Sequence, residues 1–405
     1  MITLYREIGN KITDMDIPLC DVAYFIESTK QELSDYLNGK KGIGFRKLLR
    51  ISYLLYPETQ KSVMREWCLR LGTTESIKQS FEYASITRDK ELLKNLIDKH
   101  VNDGGTLSKW VAMYTILYKF YTNSITAKDI PKELKKAGSM KDELYILGLI
   151  LKCYNHYYKE NYHSMLETAH EAEELIYELS DRHLFIKECF LHRIAEVLGN
   201  VGVFMNDKEA TRYYANVIIS ANLCAKTVSD AYYLVGMTYL TEDSQRCIEL
   251  LQLRYELSKK VGEVDIENNA RRDLDFAKLY LGIKLDNDAD NILIRLQENK
   301  GSEFELKLIK EAFYQQGDDD FLVLIEAMAH QSITKLNECR KHFVKKMNYL
   351  FGSLAALEMK KLGEKHFLLD EQIEQKHEIK GDVEFEENYI KCFIDYRSYR
   401  GSSVA

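Results

Sequence analysis

The stretch Asp21–Gly39, DVAYFIESTKQELSDYLNG, decides how the N-terminus is read. Asp21–Ile26 has the spacing of a short helix with Val22, Ala23 and Ile26 turned inward. Glu27-Ser28 is polar and reads as a turn carrying a helix N-cap. From Thr29 onward, Leu33, Tyr36 and Leu37 fall at i, i+3, i+4 on one face, and Asn38-Gly39 ends that helix. Phe45, Leu48, Leu49 and Ile51 mark the inner face of a third helix. This is the spacing of a helix-turn-helix domain of the phage-repressor type. In that geometry the second helix enters the major groove with its N-terminal residues against base edges. Those residues are Ser28, Thr29, Lys30, Gln31 and Ser34.

The charge around this stretch is uneven. Residues 36–57, YLNGKKGIGFRKLLRISYLLYP, hold Lys40, Lys41, Arg46, Lys47 and Arg50 and no acid, in a chain whose net charge is −7. A solvated helix face mixes both signs, whereas a phosphate-gripping surface does not. Lys30 and Gln31 are therefore expected to face bases, and Lys40, Lys41, Arg46 and Lys47 to face phosphate. Gly42 and Gly44 lengthen the connection after the recognition helix. The plainer alternative is that three short helices cap a helical protein.

Beyond residue 60 the chain reads as helix pairs. The 405 residues contain only three prolines, Pro18, Pro57 and Pro131, and this scarcity favours long helices over turn-rich sheets. Polar turns are expected at Gly72-Thr73-Thr74, Asn102–Gly105, Lys159–Asn161, Asn206-Asp207, Thr241–Asp243 and Gly317–Asp319. Residues 144–158 and 162–179, 185–204 and 208–221, and 231–240 and 244–260 each form a helix rich in small and aromatic residues followed by an amphipathic one. The pattern resembles degenerate tetratricopeptide-like repeats, and 27 tyrosines suit aromatic-on-small packing. The expected fold is all-α: a helix-turn-helix at 1–60, a repeat body at 61–375 that binds peptide and dimerises, and a C-terminal extension at 376–405. Such repeats stack into a superhelix whose concave face commonly holds an extended peptide.

Several chemistries lack support. The longest apolar run, residues 144–151, is far short of the roughly 20 residues that a membrane span needs, and the N-terminus MITLYREIGNK has no apolar leader core. Eight scattered cysteines without a CxxC pair read as buried free thiols of a reducing cytosol. Asp286, Asp288 and Asp290 match the first acids of a calcium loop, but Asn291 replaces its glycine and Gln297 its closing glutamate. His156, His163 and His170 recur every seven residues across a turn and lack the HExxH form. Nucleotide-loop, nucleophile-elbow and catalytic-cysteine signatures are missing, so neither an enzyme nor a cofactor is expected.

The residues carry a resemblance. Tyr56-Pro57, then Met64–Leu71 (MREWCLRL), then Ser80–Ala84 (SFEYA) are similar to the YP, M-x-x-Y-C-L-x-L and S-x-L-E-Y-A run of the arbitrium receptor (AimR) family of Bacillus phages. That family is related to the Rap, PlcR and PrgX peptide receptors. Arg193 with Leu198-Gly199-Asn200, Arg272 with Leu274 and Phe276, and Met359–Glu364 resemble further family segments, with Asp273 where the family form has asparagine. The resemblance implies a homodimer in the host cytoplasm that binds operator DNA upstream of a small regulatory gene and activates it. A short secreted and reimported peptide binds the repeat body and stops that activation, which favours lysogeny.

By the same resemblance, Asn200 is expected to hold the peptide backbone and Lys226 to anchor peptide oxygen. Asp273 is expected to receive a peptide arginine, with Tyr232, Tyr239 and Arg272 lining the wall. Phe385, Tyr389, Ile390, Phe393 and Ile394 are a candidate dimer surface, or equally a cap on the last repeat. The competing reading of the whole chain is a helical-repeat adaptor that binds protein alone; the acid-free window argues against it.

Overall fold

The structure is a computed structural model and describes residues 2–379. The candidate surface at Phe385–Ile394 lies outside the described residues. Within them the secondary structure is helical throughout, with twenty-two α-helices and no strand. The first four are α1 (Ile2–Asp14), α2 (Leu19–Phe25), α3 (Lys30–Leu37) and α4 (Phe45–Leu55). Next come α5 (Gln60–Arg70), α6 (Thr74–Ile86), α7 (Lys90–His100), α8 (Thr106–Tyr121) and α9 (Ile130–Ala137). They are followed by α10 (Asp142–Tyr158), α11 (Tyr162–Glu178), α12 (Leu184–Phe204), α13 (Lys208–Ala221), α14 (Ala225–Thr238), α15 (Ser244–Lys259) and α16 (Val264–Leu281). The last are α17 (Asn291–Glu298), α18 (Glu305–Gln316), α19 (Asp320–Ala329), α20 (Ile333–Lys345), α21 (Tyr349–Lys361) and α22 (Leu369–Ile373).

By packing, the described chain forms two compact units. One takes in everything up to Asn155 and then Glu171–Arg193; the other takes in His156–His170 and everything from Ile194. This division follows contacts, whereas the expected boundary at residue 60 follows function.

The polar turns work as helix caps. Thr73 caps α6, Asp207 caps α13, Asp243 caps α15 and Asp319 caps α19, each by accepting a backbone N–H of the first turn. In the second unit, α14 packs against both α13 and α15, and α15 against α16. Two glycines let the backbones close up. A Cβ on Gly202 would lie 2.4 Å from the Thr211 hydroxyl, and one on Gly236 would lie 3.2 Å from Leu251. Small residues at such crossings set how near neighbouring helices approach.

The first unit contains a buried polar cluster. Arg193, fully buried, donates through Nε to Glu82 at 2.9 Å and through Nη2 to the Ser85 hydroxyl at 2.9 Å. Its Nη1 reaches the Tyr121 hydroxyl at 3.1 Å, and the Tyr114 hydroxyl donates to Glu82. Cys68, Cys153, Cys189, Cys224, Cys247 and Cys339 are buried free thiols, whereas Cys20 is exposed.

Candidate functional site

Helices α2, α3 and α4 fall where the sequence places the three helices, and α1 precedes them. Val22, Ala23, Ile26, Leu33, Tyr36, Phe45, Leu48, Leu49 and Ile51 are all buried. Helix α3 packs on α1 and α2, and α2 on α4. Helix α1 buries Leu4, Tyr5, Ile8 and Ile12, a helical spacing. The cap of α3 falls one residue later than expected: Thr29 accepts from Glu32 N at 3.1 Å. Glu27 takes a left-handed φ of 53°, and the Ser28 hydroxyl turns to the Glu32 carboxylate. The helix ends at Gly39 (φ 69°), with Gly39 N donating to Tyr36 O and Lys40 N to Asp35 O, both at 2.9 Å.

The expected DNA-facing residues divide by exposure. Thr29, Lys30, Gln31, Lys40 and Lys41 are exposed; Ser28, Ser34, Arg46 and Lys47 are half-buried. Gln31 donates to Asp35 at 3.2 Å, and Lys40 stands 3.7 Å from the same carboxylate. Acid-free in sequence, the basic window meets carboxylates in space. Lys47 donates to Glu32 at 3.0 Å, and Arg50, buried, donates to Glu27 at 2.7 Å. Arg46 lies 3.4 Å from Glu27 and 3.0 Å from Glu188. The Ser28 and Tyr36 hydroxyls and then Lys47 hold the Glu32 carboxyl down to about 2. Glu27, in the turn after α2, and Glu32, in α3, lie close to this window in sequence; Glu188, on α12, carries no local signal.

In the second unit, the expected ligand residues are only partly gathered. Lys226, in the first turn of α14, pairs with Asp230 at 2.6 Å. Arg272 of α16 stands 3.7 Å from Asp319. Asp273 is engaged by Arg254, whose guanidinium lies 4.4 Å from the centre of the Tyr233 ring. Lys226, Arg272 and Asp273 thus join Asp230, Arg254, Tyr233 and Asp319 in one aromatic and charged cluster. Asn200, half-buried on α12, donates an amide N–H to Glu196 O at 2.7 Å, which leaves its carbonyl oxygen as an acceptor. Tyr232 is half-buried on α14. The guanidinium groups of Arg212 and Arg246 both lie over the Tyr239 ring, 4.0 and 4.5 Å from its centre.

Burial sets the electrostatics of this cluster. It raises the Asp273 carboxyl, with Arg254 and Arg272 opposing. It pushes Asp319 up to about 6, against the Phe321 N–H and Arg272. Asp320 is raised for the same reason. Sequence reasoning missed Arg254, Tyr233 and Asp319. The first two carry no motif, and Asp319 was read only as part of a turn.

The calcium-like loop is occupied by the protein itself. Arg271 forks onto Asp288 at 3.0 and 3.1 Å, Lys278 pairs with Asp286 at 2.7 Å, and Asp290 caps α17. Among the described residues, no cluster of three or more His, Cys, Asp or Glu side chains is placed to hold a metal. No helix among them is long and apolar enough to cross a membrane.

Four short N-terminal helices, here called the head, followed by consecutive helix pairs define an all-α helical-repeat protein. The model of the AimR transcriptional regulator-like family matches residues 60–361, and the chain belongs to that family. Two solved structures share the fold. Selenomethionine phAimR has a TM-score of 0.65 at 19% identity, covering 91% of this chain and 100% of its own. A phAimR–ligand structure has a TM-score of 0.63 at 19% identity, covering 80% of this chain and 98% of its own. Comparison with curated proteins returns no match.

Proposed function

We propose that this chain is a peptide-responsive, DNA-binding transcriptional regulator of a phage lysis–lysogeny decision. The observation that supports the DNA half is the run of short helices α2–α4, read as a helix-turn-helix, with Lys30 and Gln31 exposed in the first turn of α3 and Lys40 and Lys41 exposed after its end. Exposed lysines just past the end of the recognition helix suit a duplex backbone, and the first turn of that helix suits base edges. Membership of the AimR-like family supports the regulator, although the matched residues begin at 60, after the head. The chain acts as a homodimer in the cytoplasm of the bacterial host, because two heads read a two-fold operator.

The peptide half rests on the second unit and on the ligand carried by one phAimR structure. The Asn200 carbonyl accepts from a peptide backbone, and Lys226 and Arg272 meet peptide oxygen. Because Arg254 already engages Asp273, Asp319 is the carboxylate better disposed to take a cationic peptide side chain. Tyr232 and Tyr239 supply aromatic edges to the wall. A gel shift on DNA flanking the gene, with and without the short peptide encoded beside it, tests this reading. No shift at any salt favours the protein-only adaptor.

A further inference from the structure

We propose that Glu188 competes with DNA phosphate for Arg46, so that part of the head's positive charge is held back against α12. The inference rests on the head being a DNA-binding element. Arg46 Nη2 lies 3.0 Å from Glu188 Oε1, and the Glu188 side chain is only 1% exposed. Beside this pair, the Phe45 ring packs on Phe185 at 4.7 Å and on Tyr83 at 6.0 Å between centres. Phe185 and Glu188 are three residues apart on α12, so they share a face, and adjacent Phe45 and Arg46 of α4 meet that face together. Phe45 on Phe185 and Arg46 on Glu188 thus set an aromatic and an ionic contact side by side between α4 and α12.

The ionic contact has a cost for DNA binding in either arrangement. While Arg46 stays on Glu188 its charge is spent within the protein and releases no counterion from DNA. If Arg46 turns to phosphate, it leaves a carboxylate buried with less compensation, which is strongly unfavourable. Either way Glu188 subtracts from affinity; removing its charge while keeping its shape leaves Arg46 beside the exposed Glu27 at 3.4 Å, a solvated partner that yields to phosphate.

The test is Glu188→Gln, titrated with a random-sequence duplex at several salt concentrations. The variant is expected to bind tighter than wild type, with a log–log salt slope steeper by about 0.9. Its affinity then falls about threefold more than that of wild type between roughly 50 and 200 mM salt. A gain of binding cannot come from misfolding. The same substitution on an Arg46→Gln background is expected to give no gain, because the pair acts as a unit. Glu188→Gln with wild-type affinity and slope overturns the proposal, and so does a gain that persists without Arg46. If neither wild type nor variant binds duplex, the reading of the head falls, and this inference with it. Wild-type binding with no change in the variant sinks the inference alone.

Discussion

Arg193 and Glu82 form a fully buried ion pair at 2.8 Å, both side chains without exposed surface. These two residues belong to the segments by which the chain resembles arbitrium receptors, and the structure gives them a packing role. Burial works against the Arg193 charge, and Glu82 then holds it on. Arg193→Met leaves Glu82 buried without its cation and is expected to cost about 3–5 kcal/mol, read as a lower urea midpoint. Adding Glu82→Gln removes the stranded charge and is expected to recover part of that loss. A double variant no better than the single one contradicts the assignment.

The head carries a second prediction. Lys40 and Lys41 are exposed, so replacing both by alanine should weaken every duplex alike and lower the salt slope by roughly two units, one for each. Gln31→Ala should instead relax base preference, costing about 1–3 kcal/mol on the preferred site and little elsewhere. Competition titrations with mixed and operator DNA separate the two effects. Equal losses on all sequences for Gln31→Ala would remove it from base readout.

Asp319 gives a pH prediction. Its folded value is raised to about 6 from an ordinary 3.8, chiefly by burial. A raised folded value means stability that is fully present below the unfolded pKa and lost as pH rises through the folded one. Asp319→Asn is therefore expected to be more stable than wild type at neutral pH, by on the order of 2 kcal/mol, with the advantage gone near pH 4. Affinity for a cationic peptide should rise through about pH 6 in wild type and stay flat in the variant. Calorimetry across that range checks both; a flat wild-type profile removes Asp319 from the ligand wall.

Most helix boundaries were legible because their signals are local. Asp207, Asp243 and Asp319 are N-caps, and a short polar residue ahead of an apolar run is readable without knowing the fold. Helix α1 carries an equally local signal in the helical spacing of Leu4, Tyr5, Ile8 and Ile12. Charge was the misleading signal: residues 36–57 lack acids in sequence, yet Glu27, Glu32, Asp35 and Glu188 surround them after folding. The Arg254–Asp273 pair joins two helices through no motif at all, and it changes which acid a ligand would meet.

The measurement that bears most directly on the central claim uses Asn200→Ala beside wild type, in one gel-shift experiment on DNA flanking the gene. The account predicts that both proteins shift the DNA with equal affinity, that the neighbouring peptide alters the wild-type complex, and that the same peptide leaves the variant's complex unchanged. A variant that responds to the peptide like wild type, or a wild type that shifts no DNA, would contradict it.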